Sequence, residues 1–306
     1  MDVVAADLLD GLLRLGVALG ELGGSPSRYT VKGRRARAIA SPNGDALQAL
    51  LLEIVEYHGS VYDQLPDRLR GAPVGDYLAS TAELVARSSR MLEPFIGAFV
   101  RDMVRDRRPV TLLEIGCGTG VYLRHALKAA PGLSCVAIDM DPEVVVLAQK
   151  NVMSWGLADR ASVRRGDIRS LDEPLSGPFD LITLHNNIYY FTTAERTALF
   201  GHLAELLSPW GALCVVSMTA SGTVVGTDLD LTLRSTAGCA PLPELDQLRE
   251  QLRQAGFMSV VSTSLVTRAR EMTHDERQTE SLGNGTAFRP SQAAHRGSRI
   301  PTSPIR

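Results

Sequence analysis

The sequence predicts an α/β protein with a doubly wound, mostly parallel sheet, and two observations carry that prediction. An apolar run, Val110 to Leu113, enters an acidic, triple-glycine turn (Glu114-Ile115-Gly116-Cys117-Gly118-Thr119-Gly120) and then a helical stretch from Val121 to Ala130. Further downstream, short apolar runs alternate with helical segments, the order that builds a parallel sheet. A strand, tight turn and helix in this sequence presents a helix N-terminus to a nucleotide-like ligand.

The spacing of the turn narrows that ligand. A dinucleotide fingerprint places its third glycine three residues after the second, so that the helix N-terminus can face a pyrophosphate. Here that position is Val121, and the third glycine comes early, at Gly120. Glu114, two residues before the first glycine, would repel phosphate oxygens but would receive an ammonium group. The turn therefore calls for a ligand with a cationic amino-acid end and no phosphate.

These residues resemble the first motif of the class I S-adenosylmethionine-dependent methyltransferases, which reads much like LLEIGCGTG. The resemblance implies a Rossmann-like fold and continues through four more elements. Val136 to Asp141 is similar to the second strand of the family, with Asp139 gripping the ribose and Met140 against the adenine. Ala161 to Ile168 is similar to the third strand and its turn, with Asp167 accepting from the adenine amino group and Ile168 on the other adenine face. Phe179 to Leu184 corresponds to the fourth strand, led by Asp180, and Gly211 to Met218 to the fifth, after a helix from Ala194 to Leu207. Glu114 would hold the methionine ammonium, while Gly116, Cys117, Gly118 and Gly120 would line the cofactor with backbone.

Length and composition set outer bounds. The 306 residues suffice for one sizeable domain and a smaller one, with 44% hydrophobic and 22% charged residues, as in a globular protein. A net charge of −2 leaves no nucleic-acid footprint, and the basic clusters at 32–37 and 101–108 read as solvated faces. Cysteines 117, 135, 214 and 239 lack metal-site spacing, so no metal is expected. No apolar run would span a bilayer, and Asp2, Asp7 and Asp10 stand where a signal peptide carries lysine or arginine. A cytoplasmic location is expected, with no membrane partner.

Ahead of the glycine turn, Leu8 to Leu19 has helical apolar spacing, and Glu21 to Ile39 reads as two short strands around a Gly-Gly-Ser-Pro turn. This is similar to the last helix and wing of the winged-helix domain that precedes the catalytic domain in many small-molecule O-methyltransferases. The match is partial and implies a reduced, winged-helix-like segment at 1–44 serving for homodimerisation. Residues 45–107 follow as a helical cap, Asp45 to Leu69 and Asp76 to Arg105, whose apolar residues recur at three- and four-residue steps. Tyr57, His58 and Tyr62 lie on the first of these helices. They read either as core filling or as groups that reach a substrate, Tyr57 as a contact and His58 as a base.

Methyl transfer from a sulfonium needs the acceptor, the methyl carbon and sulfur held in line, and removal of any acceptor proton. Groups for this are expected just past the fourth strand, at the carboxyl edge of the sheet. That segment reads His185-Asn186-Asn187-Ile188-Tyr189-Tyr190-Phe191, with Asn186, Tyr189 and Tyr190 placed to meet the acceptor. In the winged-helix O-methyltransferases it carries a histidine base, and aligning the next helix at Glu195 puts Tyr190 there. His185 comes too early; it reads as a cofactor contact, a base or a core histidine. A tyrosine with an ordinary pKa near 10 orients an acceptor better than it deprotonates one. The candidate catalytic residues are thus Tyr190, His185 and His58. Asn187-Ile188-Tyr189-Tyr190 lacks the prolines of the DNA and protein-amide N-methyltransferases, which it therefore does not resemble.

Toward the C-terminus, 221–243 reads as a loop-rich connection lining the acceptor, Glu244 to Ala255 as a helix and Gly256 to Val266 as a sixth strand. Residues 267–306 have the composition of a disordered tail, so no seventh strand is expected. The expectation is a cofactor-binding domain at 108–266 that methylates a small molecule, most simply at oxygen. A regulatory or non-catalytic homologue that keeps the cofactor is the alternative, and a DNA-binding regulator using the wing a more distant one.

Overall fold

The computed structural model describes residues 6–41, 43–171, 173–265 and 285–289. At the N-terminus α1 (Ala6–Ala18) leads into an antiparallel pair, β1 (Leu22–Ser25) and β2 (Arg28–Val31), in which Leu22 faces Val31 and Ser25 faces Arg28. The expected wing is therefore present but shorter, because Gly33 opens a further helix, α2 (Arg34–Ile39), within the stretch read as extended. The cap follows as α3 (Asp45–Glu53), a π-helical turn over Ile54–His58, α4 (Gly59–Leu69), α5 (Leu78–Ser88), a 3₁₀ turn over Ser89–Leu92 and α6 (Glu93–Arg107). The π turn widens the helix at the residues that carry Tyr57 and His58, a distortion that recurs at functional sites.

Beyond residue 108 the apolar runs become parallel strands buried on both faces, as continuous hydrophobic strands require. These are β3 (Thr111–Ile115), β4 (Ser134–Asp139), β5 (Ala161–Arg165), β6 (Phe179–His185) and β7 (Leu207–Met218), alternating with α7 (Val121–Ala129), α8 (Pro142–Ser154) and α9 (Arg196–Leu206). One face packs against α6, α7 and α8 through Ile96, Val100, Leu123, Leu127, Val145 and Ala148. The other packs against α9 and a later helix, α11 (Leu245–Gln254), through Leu199, Phe200, Leu203, Leu248 and Leu252. Asp180 aligns the strand starts: one carboxylate oxygen accepts from the backbone of Val110 (2.8 Å) and Thr111 (3.2 Å), the other from Ser208 Oγ (3.0 Å).

Two expectations fail. Residues 221–243 are not merely a loop, because α10 (Val224–Arg234) forms there, capped by Thr223 Oγ1 accepting from the backbone of Gly226 at 3.1 Å. Its β-branched, glycine-containing start hides a helix that tertiary packing of Leu233 secures. The second failure is the seventh strand. After β8 (Val261–Ser264), β9 (Gly285–Arg289) inserts antiparallel between β7 and β8, pairing Val216 with Ala287 and Val261 with Arg289. A five-residue strand is lost in the averaged composition of a polar segment, yet it satisfies the backbone of an otherwise bare β7 edge. The rest of the expected disordered tail lies outside the described residues.

The sheet order is β5-β4-β3-β6-β7-β9-β8. Chain order reverses between β3 and β6, and the crevice at their carboxyl ends is the ligand position of open α/β sheets. Among the described residues no helix is long and apolar enough to cross a membrane.

Candidate functional site

The glycine turn sits at that crevice. The backbone N–H groups of Gly116 and Cys117 both donate to Ile138 O, at 2.8 and 3.1 Å, which clamps the turn to the end of β4. Gly116 adopts φ +64°, and a Cβ there would lie 2.4 Å from Asn187 Nδ2. Gly120 caps α7 in the left-handed region at φ 75°. Asn187 Nδ2 reaches under the turn to Ile115 O, tying the segment after β6 to the end of β3.

Two carboxylates frame the turn. Asp139, at the end of β4, accepts from Gly118 N (2.9 Å) through one oxygen and from Asp141 N (3.2 Å) through the other. Burial pushes its carboxyl above the usual range, against the lowering effect of these backbone donors. With about four lone-pair sites on a carboxylate, both oxygens retain capacity for ribose hydroxyls. Glu114 is buried to 1% exposure and accepts from His185 Nδ1 at 3.1 Å. A carboxylate only accepts, so this contact calls for the Nδ1–H tautomer of the imidazole, in which Nε2 carries the lone pair.

Among the described residues that nitrogen finds no partner, nor do the side-chain oxygens of Asn186, Asn187 and Tyr122, all fully enclosed. Unpaired buried polar atoms call for an explanation. Four of these groups, counting Glu114, His185 Nε2 and the two amide oxygens, are hydrogen-bond acceptors, and an ammonium carries three donors. This acceptor set fits the ammonium end of the methionine part of S-adenosylmethionine. Tyr122, whose ring lies 4.6 Å from that of His185, escaped the sequence reading; its only signal is a phenol in the first turn after the glycines.

The residues expected at the adenosine lie in two different settings. Met140 is 56% exposed beside the turn while Ile168 is buried, so one apolar face is open to a base. Asp167 is already engaged: Arg169 grips it through Nε (2.9 and 3.0 Å) and Nη2 (2.8 Å), and the Arg169 backbone N–H adds a third donor. Burial would raise the Asp167 carboxyl, but the arginine holds it below the usual range. The anion is thus fixed in place by its neighbour rather than left free, and Arg169 also lies 5.3 Å over the ring of Phe191.

Past β6 the chain turns sharply, with Asn186 at φ 55°, into a 3₁₀ turn over Ile188–Tyr190. Arg196, 1% exposed, pins this segment by donating to Phe191 O (3.1 Å) and Pro241 O (3.3 Å). Tyr189 packs with Leu233 and Leu242, and Tyr190, Met218, Leu229 and Cys239 close the cluster. From the cap, Tyr57 donates to or accepts from Thr236 Oγ1 at 2.8 Å. Burial pushes the phenols of Tyr57, Tyr189 and Tyr190 well above their ordinary value. Neutral phenols at these positions orient an acceptor by hydrogen bonding rather than take its proton. Glu53, also missed in the sequence, is buried and interacts electrostatically with all three. A lone carboxylate inside Leu-Leu-Leu-Glu-Ile-Val was its signal.

Comparison with known proteins agrees with this geometry. Residues 112–211 match a family model described as a methyltransferase domain. A malonyl-[acyl-carrier protein] O-methyltransferase of Priestia megaterium is 32% identical over 114 residues, covering 37% of this chain and 38% of that protein. The chain spans between 5% and 38% of the length of the first curated relatives it matches. Among solved structures, an O-methyltransferase family protein from Burkholderia thailandensis superposes with a TM-score of 0.71 at 19% identity, over 93% of this chain and 83% of that one. Human N-acetylserotonin methyltransferase in complex with SAM gives 0.67 at 13% identity, over 92% and 82%. The fold, including the N-terminal region, is that of these proteins.

Proposed function

We propose that this chain, whose residues 112–211 form a methyltransferase domain of the class I type, transfers the methyl group of S-adenosylmethionine to the oxygen of a small molecule. The observation that carries the reading is the enclosed set of acceptors, Glu114, His185 Nε2 and the amide oxygens of Asn186 and Asn187, beside the glycine turn. The cofactor supplies an electrophilic methyl on a sulfonium. Glu114 and His185 hold its ammonium, Asp139 its ribose, and Met140, Ile168 and Asp167 its adenine. Gly116, Cys117, Gly118 and Gly120 let the backbone approach. Asn186, Tyr57, Tyr189 and Tyr190 enclose the acceptor and exclude water, so that the enzyme acts chiefly by alignment.

Calorimetric titration tests this. S-adenosylmethionine and S-adenosylhomocysteine bind saturably, and Glu114→Gln weakens both about 10-fold to 100-fold, because a charge-assisted hydrogen bond contributes about 1.5–3 kcal/mol. Absence of binding by folded protein rejects the assignment. Binding without transfer to any hydroxyl compound would favour the regulatory alternative.

The N-terminal segment supports self-association. On α1, Leu8, Leu12 and Leu15 are 71%, 64% and 55% exposed, and the helix buries none of its residues. A homodimer formed through residues 1–44 would cover them. Sedimentation should then give twice the mass of the 33.0 kDa chain, and Leu12→Glu with Leu15→Glu should return it to monomer. An unchanged mass in the double variant rejects this surface.

A further inference from the structure

The cap and α10, some 170 residues apart in sequence, meet through an ordered polar junction centred on His58. Its Nδ1 lies 2.8 Å from Asp228 Oδ2, with Thr232 Oγ1 at 3.4 Å, and its Nε2 lies 3.9 Å from Glu53 Oε1. The other oxygen of Asp228 accepts from Tyr62 at 2.6 Å. The three do not group as metal ligands, as no such cluster occurs among the described residues. Because a carboxylate accepts, the His58 proton belongs on Nδ1 and the lone pair on Nε2. Nε2 is too far from Glu53 for a direct hydrogen bond, yet one hydroxyl oxygen can reach both atoms. The His58 and Glu53 side chains are 12% exposed, whereas Asp228 is 32% exposed, so the junction runs from the tyrosine-lined cluster toward solvent.

We propose that His58 is the proton acceptor of the methyl transfer, that Asp228 is the positioning residue that fixes its tautomer, and that the acceptor is a neutral hydroxyl compound of the phenol class. This rests on the methyltransferase reading above. As the acceptor oxygen forms its bond to the methyl carbon, its O–H bond breaks and the proton passes to His58 Nε2. The carbon–sulfur bond breaks with its electron pair going to sulfur, which becomes a neutral thioether. The positive charge lost by the sulfonium reappears on the imidazolium, held between Glu53 and Asp228; the proton leaves from Nδ1 by way of Asp228. The groups facing His58 are Glu53 and Tyr57 from the cap and Asp228 and Thr232 from α10, with Tyr62 behind Asp228 on its other oxygen. None is cationic, and Glu53 stands between two apolar clusters, Tyr57 with Val61 and Tyr77 on one side and Tyr189 with Leu233, Leu242 and Tyr190 on the other, surroundings that suit a flat, uncharged ring better than an anion.

Two measurements on the full chain test this. Nitrogen-15 NMR of His58 should show the proton on Nδ1 and a free Nε2, and Asp228→Asn should shift the tautomer balance; an Nε2–H tautomer in the wild type overturns the assignment. In turnover, 4-methylphenol needs a base and 4-nitrophenol, already acidic, does not. Asp228→Asn and His58→Gln should slow 4-methylphenol methylation about 100-fold or more and 4-nitrophenol about 10-fold or less, in line with general-base contributions. Cofactor binding should remain within about threefold, as for a group acting on the proton and not on affinity. Equal losses for both phenols, no loss for either, or no turnover of either by protein that binds the cofactor overturns the inference and leaves the cofactor assignment standing. Failure to bind the cofactor at all removes the underlying reading instead.

Discussion

Asp139→Ala is expected to weaken S-adenosylmethionine binding by about 100-fold to 10,000-fold, two charge-assisted hydrogen bonds at about 1.5–3 kcal/mol each. The carboxylate stands at the end of β4, preset by the N–H groups of Gly118 and Asp141. Removing it takes away the proposed ribose acceptor and also frees Gly118, so the turn loses one of its anchors. Calorimetry on the variant, with circular dichroism to show that it is folded, makes the measurement; affinity within threefold of wild type would reject the ribose role. A pH series adds a second signature. Burial holds the Asp139 carboxyl above its ordinary value, so protonation begins at a higher pH than in an open aspartate, and cofactor affinity falls on the acid side from there. Stability moves the other way: a carboxyl raised in the folded state opposes folding when ionised, and that cost disappears as pH falls through the folded value.

The second large effect is expected at Gly116→Ala. Two penalties combine there. The residue sits at φ +64°, where an L side chain costs about 1–2 kcal/mol, and its Cβ would meet Asn187 Nδ2 at 2.4 Å, displacing the bond from that amide to Ile115 O. The sum of about 2–4 kcal/mol lowers Tm by about 5–15 °C. It also shifts the enclosed amide oxygen of Asn187, so cofactor affinity should fall about 100-fold, equivalent to about 2.7 kcal/mol. Gly118→Ala is the internal control for stability: φ is +53°, but a Cβ there meets no protein heavy atom within 4 Å, so in the cofactor-free protein only the backbone strain remains. Thermal denaturation of both variants isolates the contact with Asn187, and calorimetry on Gly116→Ala reads the affinity. Equal losses at the two positions would show that the contact with Asn187 is immaterial.

The strand from Thr111, the glycine turn, Asp139, and the succession of five strands along the chain could all be read from the sequence, because each is encoded by neighbours in sequence. Apolar runs of strand length, glycines at positive φ and helical periodicity are local signals, and they place Glu114 and Asp139 at one crevice through topology alone. Other features depend on which distant segments meet. Strand β9 owes its pairing to β7 and β8, and α10 its helix to packing on Leu233 and Leu242; neither has a local pattern strong enough to announce it. The same holds inside the site. Nothing near His185 in sequence reveals that its Nδ1 meets Glu114, 71 residues earlier, and nothing near His58 reveals Asp228, 170 residues later. Buried side-chain pairing is a property of the packed interior, where an unpartnered charge is costly, so only the tertiary structure sets His185 against Glu114 and His58 against Asp228, encloses the tyrosines and brings Glu53 near them.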